Sequence, residues 1–153
     1  MSEVSDASDC AAAVRDWLAN SPNIVNVVEN RIYPEGDVPQ GIRKDRIVIG
    51  EVAANPDMHL DGESGSGETV LDIDFWSSGE KGRIQAKIGG ELIRKRLSGY
   101  RGALNSEVTA ACCEFTSLPR LIVTGPQDGS SLQHWRCNMT VRIRHTVAVP
   151  DFS

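Results

Sequence analysis

The apolar positions of this chain change period along its length, and each change predicts an element. Behind Ser8 or Asp9 as candidate N-caps, the residues Cys10, Ala13, Val14, Trp17 and Leu18 recur at helical spacing, which predicts a short amphipathic helix ended by Pro22. The segment "NIVNVV" fits a further helical turn or a short strand, and "NRIYPEGDVPQG", punctuated by Pro34, Gly36, Pro39 and Gly41, predicts a loop. "RIVIGEVAA" is β-branched on both faces and reads as a strand covered on two sides. In "TVLDIDFWSS", Leu71, Ile73 and Phe75 alternate with Asp72 and Asp74, the pattern of a strand with one buried and one polar face. The stretch between these strands, 56–68, is rich in Gly and Ser and reads as a flexible hairpin loop joining them.

From Gly79 to Tyr100 the period returns to that of a helix. At about 100° per residue, Ile84, Ala86, Ile88, Leu92, Ile93, Leu97 and Tyr100 cover a broad apolar face opposite Lys87, Glu91, Arg94 and Lys95. Gly89 falls within that face, where it costs about 1 kcal/mol of helix propensity relative to Ala. Its position predicts a close approach of helix to sheet.

The last third is β. "EVTAACCEF" and "RLIVTG" flank Pro119, which cannot donate to a ladder and so marks an edge, a bulge or a break. "LQHWRCNMTVRIRHTV" alternates throughout, with Trp135, Cys137, Met139, Val141 and Ile143 on one side and Arg136, Asn138, Thr140, Arg142 and Arg144 on the other. At about 3.3 Å per residue this strand spans roughly 45 Å from His134 to Val147, so it is expected to bend or to project beyond a small domain. The order of helix, strands, long helix and strands, with one-sided alternation, predicts a single α+β domain over 1–153. In it an antiparallel sheet carries an N-terminal helix and one long amphipathic helix on one face, with residues 1–8 as a loose acidic tail.

Composition supports a folded domain. The chain has 153 residues, 40% of them hydrophobic and 24% charged, enough for a full core and unlike a disordered segment. No apolar run approaches the roughly 20 residues of a membrane span, and the acidic N-terminus does not read as a signal peptide, so the expected setting is the cytoplasm of the producing cell unless a larger particle carries the protein out. A net charge of -5 argues against broad binding to nucleic acid or to an anionic membrane.

Candidate chemistry is sparse. "DMHLDGESGSGE", Asp57 to Glu68, is close to an EF-hand calcium loop, but His59 replaces an oxygen ligand, Ser64 stands where an apolar residue belongs, and both flanks read as strands instead of helices. Gly-x-Ser-x-Gly appears there only with relaxed spacing, and before a strand instead of after one, the wrong context for a nucleophile elbow. His59, His134 and His145 do not converge in one monomer, and Cys10, Cys112, Cys113 and Cys137 lack metal spacing, so free buried thiols are expected. Neither catalysis nor a cofactor or metal is expected. The polar strand faces carry more information: Asp72 and Asp74 share one face, Arg142 and Arg144 another, and neighbouring strands would pair them. Alternatively these rows meet complementary rows on another subunit.

"NRIYPEGDVP", then "RIVIGEV", a variable acidic loop, "ETVLDIDFWSS", an amphipathic helix and a long closing strand together resemble the tail-completion or tail-terminator family of long-tailed bacteriophages, over about Asp9 to Val147. Arg31-Ile32-Tyr33-Pro34 and Ile73-Asp74-Phe75-Trp76 carry the resemblance most clearly, while the polar insertion around Gly102 to Glu107 departs from it. The resemblance implies a structural virion protein that assembles as a hexameric ring of identical copies on the end of the tail tube. There it stops tube growth and meets both the tail tube protein and the head–tail connector, with DNA passing through unbound. Assembly would take place in the host cytoplasm. The subunit or partner interface expected for such a ring includes Asp72, Asp74, Trp76, Arg136, Arg142 and Arg144 on the sheet and Asp57, Asp61, Glu63 and Glu68 in the loop. Two alternatives stay open: another head–tail neck protein, and a non-catalytic α+β binding module that captures a peptide or an ion with the Asp57–Glu68 loop.

Overall fold

The computed structural model describes residues 10–59, 62–124 and 133–147. Helix α1, Cys10–Ala19, turns Cys10, Ala13, Val14 and Leu18 inward, as its spacing dictates. Pro22 does more than stop this helix. Placed in the first turn of α2, Pro22–Val28, where its missing N–H has no helical partner to lose, it starts the next one. "NIVNVV" is therefore helical, with Ile24 and Val28 buried. The loop expected after it contains a short strand, β1, Ile32–Pro34, which runs parallel to the start of β2, Arg46–His59.

Strand β2 forms an antiparallel hairpin with β3, Gly62–Ser78. The ladder continues through Asn55↔Glu68 and Pro56↔Gly67 to His59↔Gly62, so the stretch expected as loop is mostly paired strand. The two-sided cover expected for β2 holds only at its start: Ile47 and Ile49 are buried on one face and Arg46 and Gly50 on the other, with Val48 half-buried, whereas Glu51 and Val52 are exposed. Gly79, at φ 89°, turns the chain into helix α3, Gly82–Leu97, and the helix stops short of Gly99 at φ 72°. The expected insertion at Gly102 to Glu107 is a short strand, β4, Gly102–Ala103, and a turn in which Asn105 Oδ1 accepts from the N–H groups of Glu107 and Val108, both at 2.9 Å.

Strands β5, Val108–Val123, and β6, His134–Val147, complete a curled six-stranded sheet in the order β1-β2-β3-β6-β5-β4, antiparallel except for β1. Strand β6 covers most of the alternating stretch, starting at His134, but it does not project. It is central, paired with β3 from Ser66↔Thr146 to Ser78↔His134 and with β5 from Val108↔Val147 to Val123↔Trp135. Pro119 falls in a register shift between Ser117 and Arg120, the bulge that a residue without an N–H requires.

The helices share one face of the sheet. Ile47, Ile49, Leu71, Ile73, Phe75, Met139, Val141 and Ile143 form one cluster with the inward residues of all three helices. A Cβ on Gly89 would overlap the Phe75 ring and one on Gly90 would overlap Cys137 Sγ, so α3 lies against the sheet through a glycine seam. That contact fixes the rotation of the helix: Gly82, Ala86, Gly89, Gly90, Ile93 and Leu97 face inward, while Ile84 and Ile88, expected on the buried face, are 60% and 54% exposed.

Candidate functional site

The sheet face opposite the helices gathers most of the polar residues singled out in the sequence. On β3, Glu68, Asp72, Asp74 and Trp76 point there by alternation, beside Arg144, Arg142, Thr140, Asn138 and Arg136 of β6. The expected neighbourhood of the acidic and basic rows is present, but the register displaces them along the strands. Asp72 lies opposite Thr140 and Asp74 opposite Asn138, whereas Arg142 lies opposite Val70 and Arg144 opposite Glu68. The Asp72/Asp74 pairing with Arg142/Arg144 therefore does not form.

Each row finds other partners. Asp74 Oδ1 accepts from Asn138 Nδ2 at 2.7 Å and Oδ2 from the Arg136 guanidinium at 3.3 Å. Asp72 Oδ1 accepts from Thr140 Oγ1 at 3.0 Å. Arg142 pairs with Glu114 of β5 and, at 3.8 Å, with Glu68, which also meets Arg144 at 3.4 Å. Burial pushes the Asp74 carboxyl above its ordinary range, against the lowering effects of the Asn138 hydrogen bond and the Arg136 charge; the nearby Asp72 charge adds to the rise. The Trp76 ring lies between two guanidinium groups, Arg46 at 5.0 Å and Arg136 at 5.7 Å, with the His134 ring edge-on at 6.5 Å. This face is thus a network largely satisfied within one chain. It stiffens the sheet and offers few uncommitted charges to a partner.

The remaining predicted residues lie on the β2–β3 hairpin. Asp57 and Glu63 belong to its strands, Glu63 opposite Met58 in the ladder, and Asp61 lies outside the described residues. The extended strands that flank this stretch are not the two helices an EF-hand needs. Among the described residues no group of three or more His, Cys, Asp or Glu converges as a metal site would require. His145 Nε2 lies 2.7 Å from Thr69 Oγ1 on the helix side of the sheet, whereas His134 alternates onto the opposite side. A cavity of about 90 Å³ between α1 and the β1–β2 pair, lined by Ala11, Ala12, Arg15, Pro34 and Ile49, is well below the size of ordinary ligand pockets. No described helix is long and apolar enough to cross a membrane.

Sequence periodicity missed the outward stripe of α3. Ile84 and Ile88 stand one turn apart and are exposed with Lys81, Arg83, Lys87 and Lys95 around them. The signal was present in Gly89-Gly90, which leave room for the Phe75 ring and Cys137 Sγ and so mark the side of the helix that faces the sheet. A second unforeseen feature ties α1 to the end of α3. The Arg96 guanidinium lies 3.5 Å from the Trp17 ring centre and donates to the Trp17 carbonyl at 2.9 and 3.1 Å, while Trp17 Nε1 donates back to the Arg96 carbonyl at 3.2 Å. Tyr100 stacks on the same Trp17 ring at 4.2 Å.

No protein-family model matches the chain, and neither does any curated protein. Among solved structures it is similar to a chain from the virion of a native gene transfer agent (GTA) particle, with a TM-score of 0.60 at 15% sequence identity, over 88% of this chain and 93% of that one. At that identity the likeness establishes a shared fold, and it extends over nearly the whole of both chains.

Proposed function

We propose that this protein is a structural component of a phage-like virion that caps the tail tube, ends its growth and joins it to the head connector, as a closed ring of six copies. The observation that carries this reading is the near full-length fold similarity to a chain of a gene transfer agent virion, which agrees with the resemblance of "NRIYPEGDVP" and "LDIDFW" to tail-terminator proteins. The chemistry of the chain is in keeping: its polar sheet face is committed internally, its described cavity is small, and its uncommitted charged and apolar side chains lie on outer surfaces. Such a protein works through geometry. Two different patches on each copy meet to close the ring. A chain of net charge -5 lets DNA pass a central opening without holding it.

Location tests this. Gold-labelled protein mixed with assembled tail tubes should appear in electron micrographs at one end of each tube. Decoration along the tube wall, or none, would remove the capping role.

A further inference from the structure

Charge is divided between two consecutive stretches of this chain. From Ile47 to Glu80 there are eight Asp or Glu and no Lys or Arg; from Lys81 to Arg101 there are seven Lys or Arg and one Glu. Much of this charge is already used. On the hairpin side, Glu68 meets Arg142 and Arg144, and Asp74 meets Arg136. On the helix, Arg94 is held by Glu91, and Arg96 by the Trp17 carbonyl. What remains is an acidic hairpin edge, where Glu51 is exposed and has no ion pair among the described residues and where the sequence adds Asp57 and Glu63, and a basic helix stripe of Lys81, Arg83, Lys87 and Lys95.

Each surface also carries exposed apolar side chains. Val52, beside Glu51, is 61% exposed, against 60% for Ile84 and 54% for Ile88 on the stripe. The two cannot meet within one chain. Helix α3 lies on the sheet through Gly89 and Gly90, so its stripe points away from the sheet to which the hairpin belongs. At the far end of the hairpin the described ladder is two-stranded. Met58↔Glu63 and His59↔Gly62 pair only with each other among the described residues, since the β6 ladder reaches only to Ser66. A two-stranded ribbon alone is marginal in water and gains by docking.

We propose that the acidic β2–β3 hairpin of one copy docks on the basic, isoleucine-bearing outer stripe of α3 of the next copy. The apolar side chains are desolvated between the two, and the opposite charges set orientation and encounter rate. The contact is heterologous, so it propagates from copy to copy and closes into a ring when the rotation allows. It rests on the ring reading above by supplying that ring's interface.

Charge exchange tests it. One variant carries Arg83→Glu with Lys87→Glu, the other Glu51→Lys with Asp57→Lys. Glu51, Arg83 and Lys87 are exposed, and circular dichroism checks the fold of each variant. By native mass spectrometry and sedimentation, each variant alone should self-associate on the order of a hundredfold more weakly than the unmodified protein, since like charges then face each other. An equal mixture should assemble again, because each hairpin finds an oppositely charged helix on the other variant. Self-association of the unmodified protein should also weaken as salt rises toward about 1 M, a readout that needs no variant.

Either variant assembling alone like the unmodified protein, a mixture that stays dispersed, or assembly indifferent to salt would overturn the proposal. So would a helix variant that loses only its binding to a duplex DNA probe, which would make the stripe a nucleic-acid surface. Unmodified protein that collects at tube ends while each variant self-associates as strongly as it does removes this interface but keeps the capping function. Exchange-dependent assembly with no binding to tube ends does the reverse. Unmodified protein that stays monomeric at all concentrations and with tubes present removes both.

Discussion

Gly89 shows how one residue fixes the orientation of a helix. Alanine favours a helix by about 1 kcal/mol over glycine, yet a Cβ at this position would overlap the Phe75 ring. Overpacking of a tight core typically costs about 1–3 kcal/mol, so Gly89→Ala should lower the denaturant midpoint while Ile88→Ala, on the exposed side of the same helix, should leave it nearly unchanged. Equal effects would place the helix in another rotation.

Buried ionisable groups give two further tests at this scale. Desolvation pushes the thiols of Cys113 and Cys137 up to about 12 and about 11 from an ordinary 9.0. Their stabilising contribution is fully present below 9.0 and is lost as the pH rises through those folded values. Both should resist alkylation in the native protein at pH 8, with Cys112 labelled first because it is only half-buried. Asp74 has the same sign, its folded value lying above the ordinary 3.8. Its contribution is complete below 3.8 and falls as the pH rises through the raised value. The stability of Asp74→Asn relative to the unmodified protein should therefore climb with pH across that window, and Arg136→Met should raise the Asp74 titration further when followed by carbon NMR.

At the scale of elements, most of the strands could be read from the sequence because their alternation is unbroken. "LQHWRCNMTVRIRHTV" predicts one long strand ending at Val147, and His134–Val147 is observed. Alternation says which residues share a face but not which partner residue lies opposite, and that is why the Asp72/Asp74 and Arg142/Arg144 rows were correctly placed side by side yet wrongly paired. Strand β1 was hidden because its pairing to β2 is parallel and distant in sequence, with no local turn to announce it. The outward turn of Ile84 and Ile88 was hidden because hydropathy alone weighs isoleucine above glycine. The clasp between α1 and α3 left no periodic signal, since it depends on Trp17 and Arg96 meeting across the fold. A cation–π contact and two hydrogen bonds are worth roughly 1–3 kcal/mol here, so Arg96→Ala should cost about that much in urea unfolding and perturb Trp17 fluorescence. A change in neither would mean that the Arg96 side chain does not hold α1.

For the whole molecule, the class of fold was legible in the sequence. One-sided strands and amphipathic helices dictate a sheet with helices on one face, and the structure has that form. The charged sheet face expected to meet neighbours is instead largely neutralised inside the chain, and β6, expected to offer contacts by its length, has both edges paired. The surfaces left over are the acidic hairpin and the basic helix stripe, which are adjacent in sequence and directed apart in space. That separation is what the proposed contact between copies requires.

Growth of tail tubes from purified tube protein, imaged with and without this protein, tests the capping claim most directly. The account predicts that adding it narrows and shortens the length distribution and leaves one ring-shaped cap at a single end of each tube. Tubes that keep lengthening with bare ends at saturating protein would contradict it.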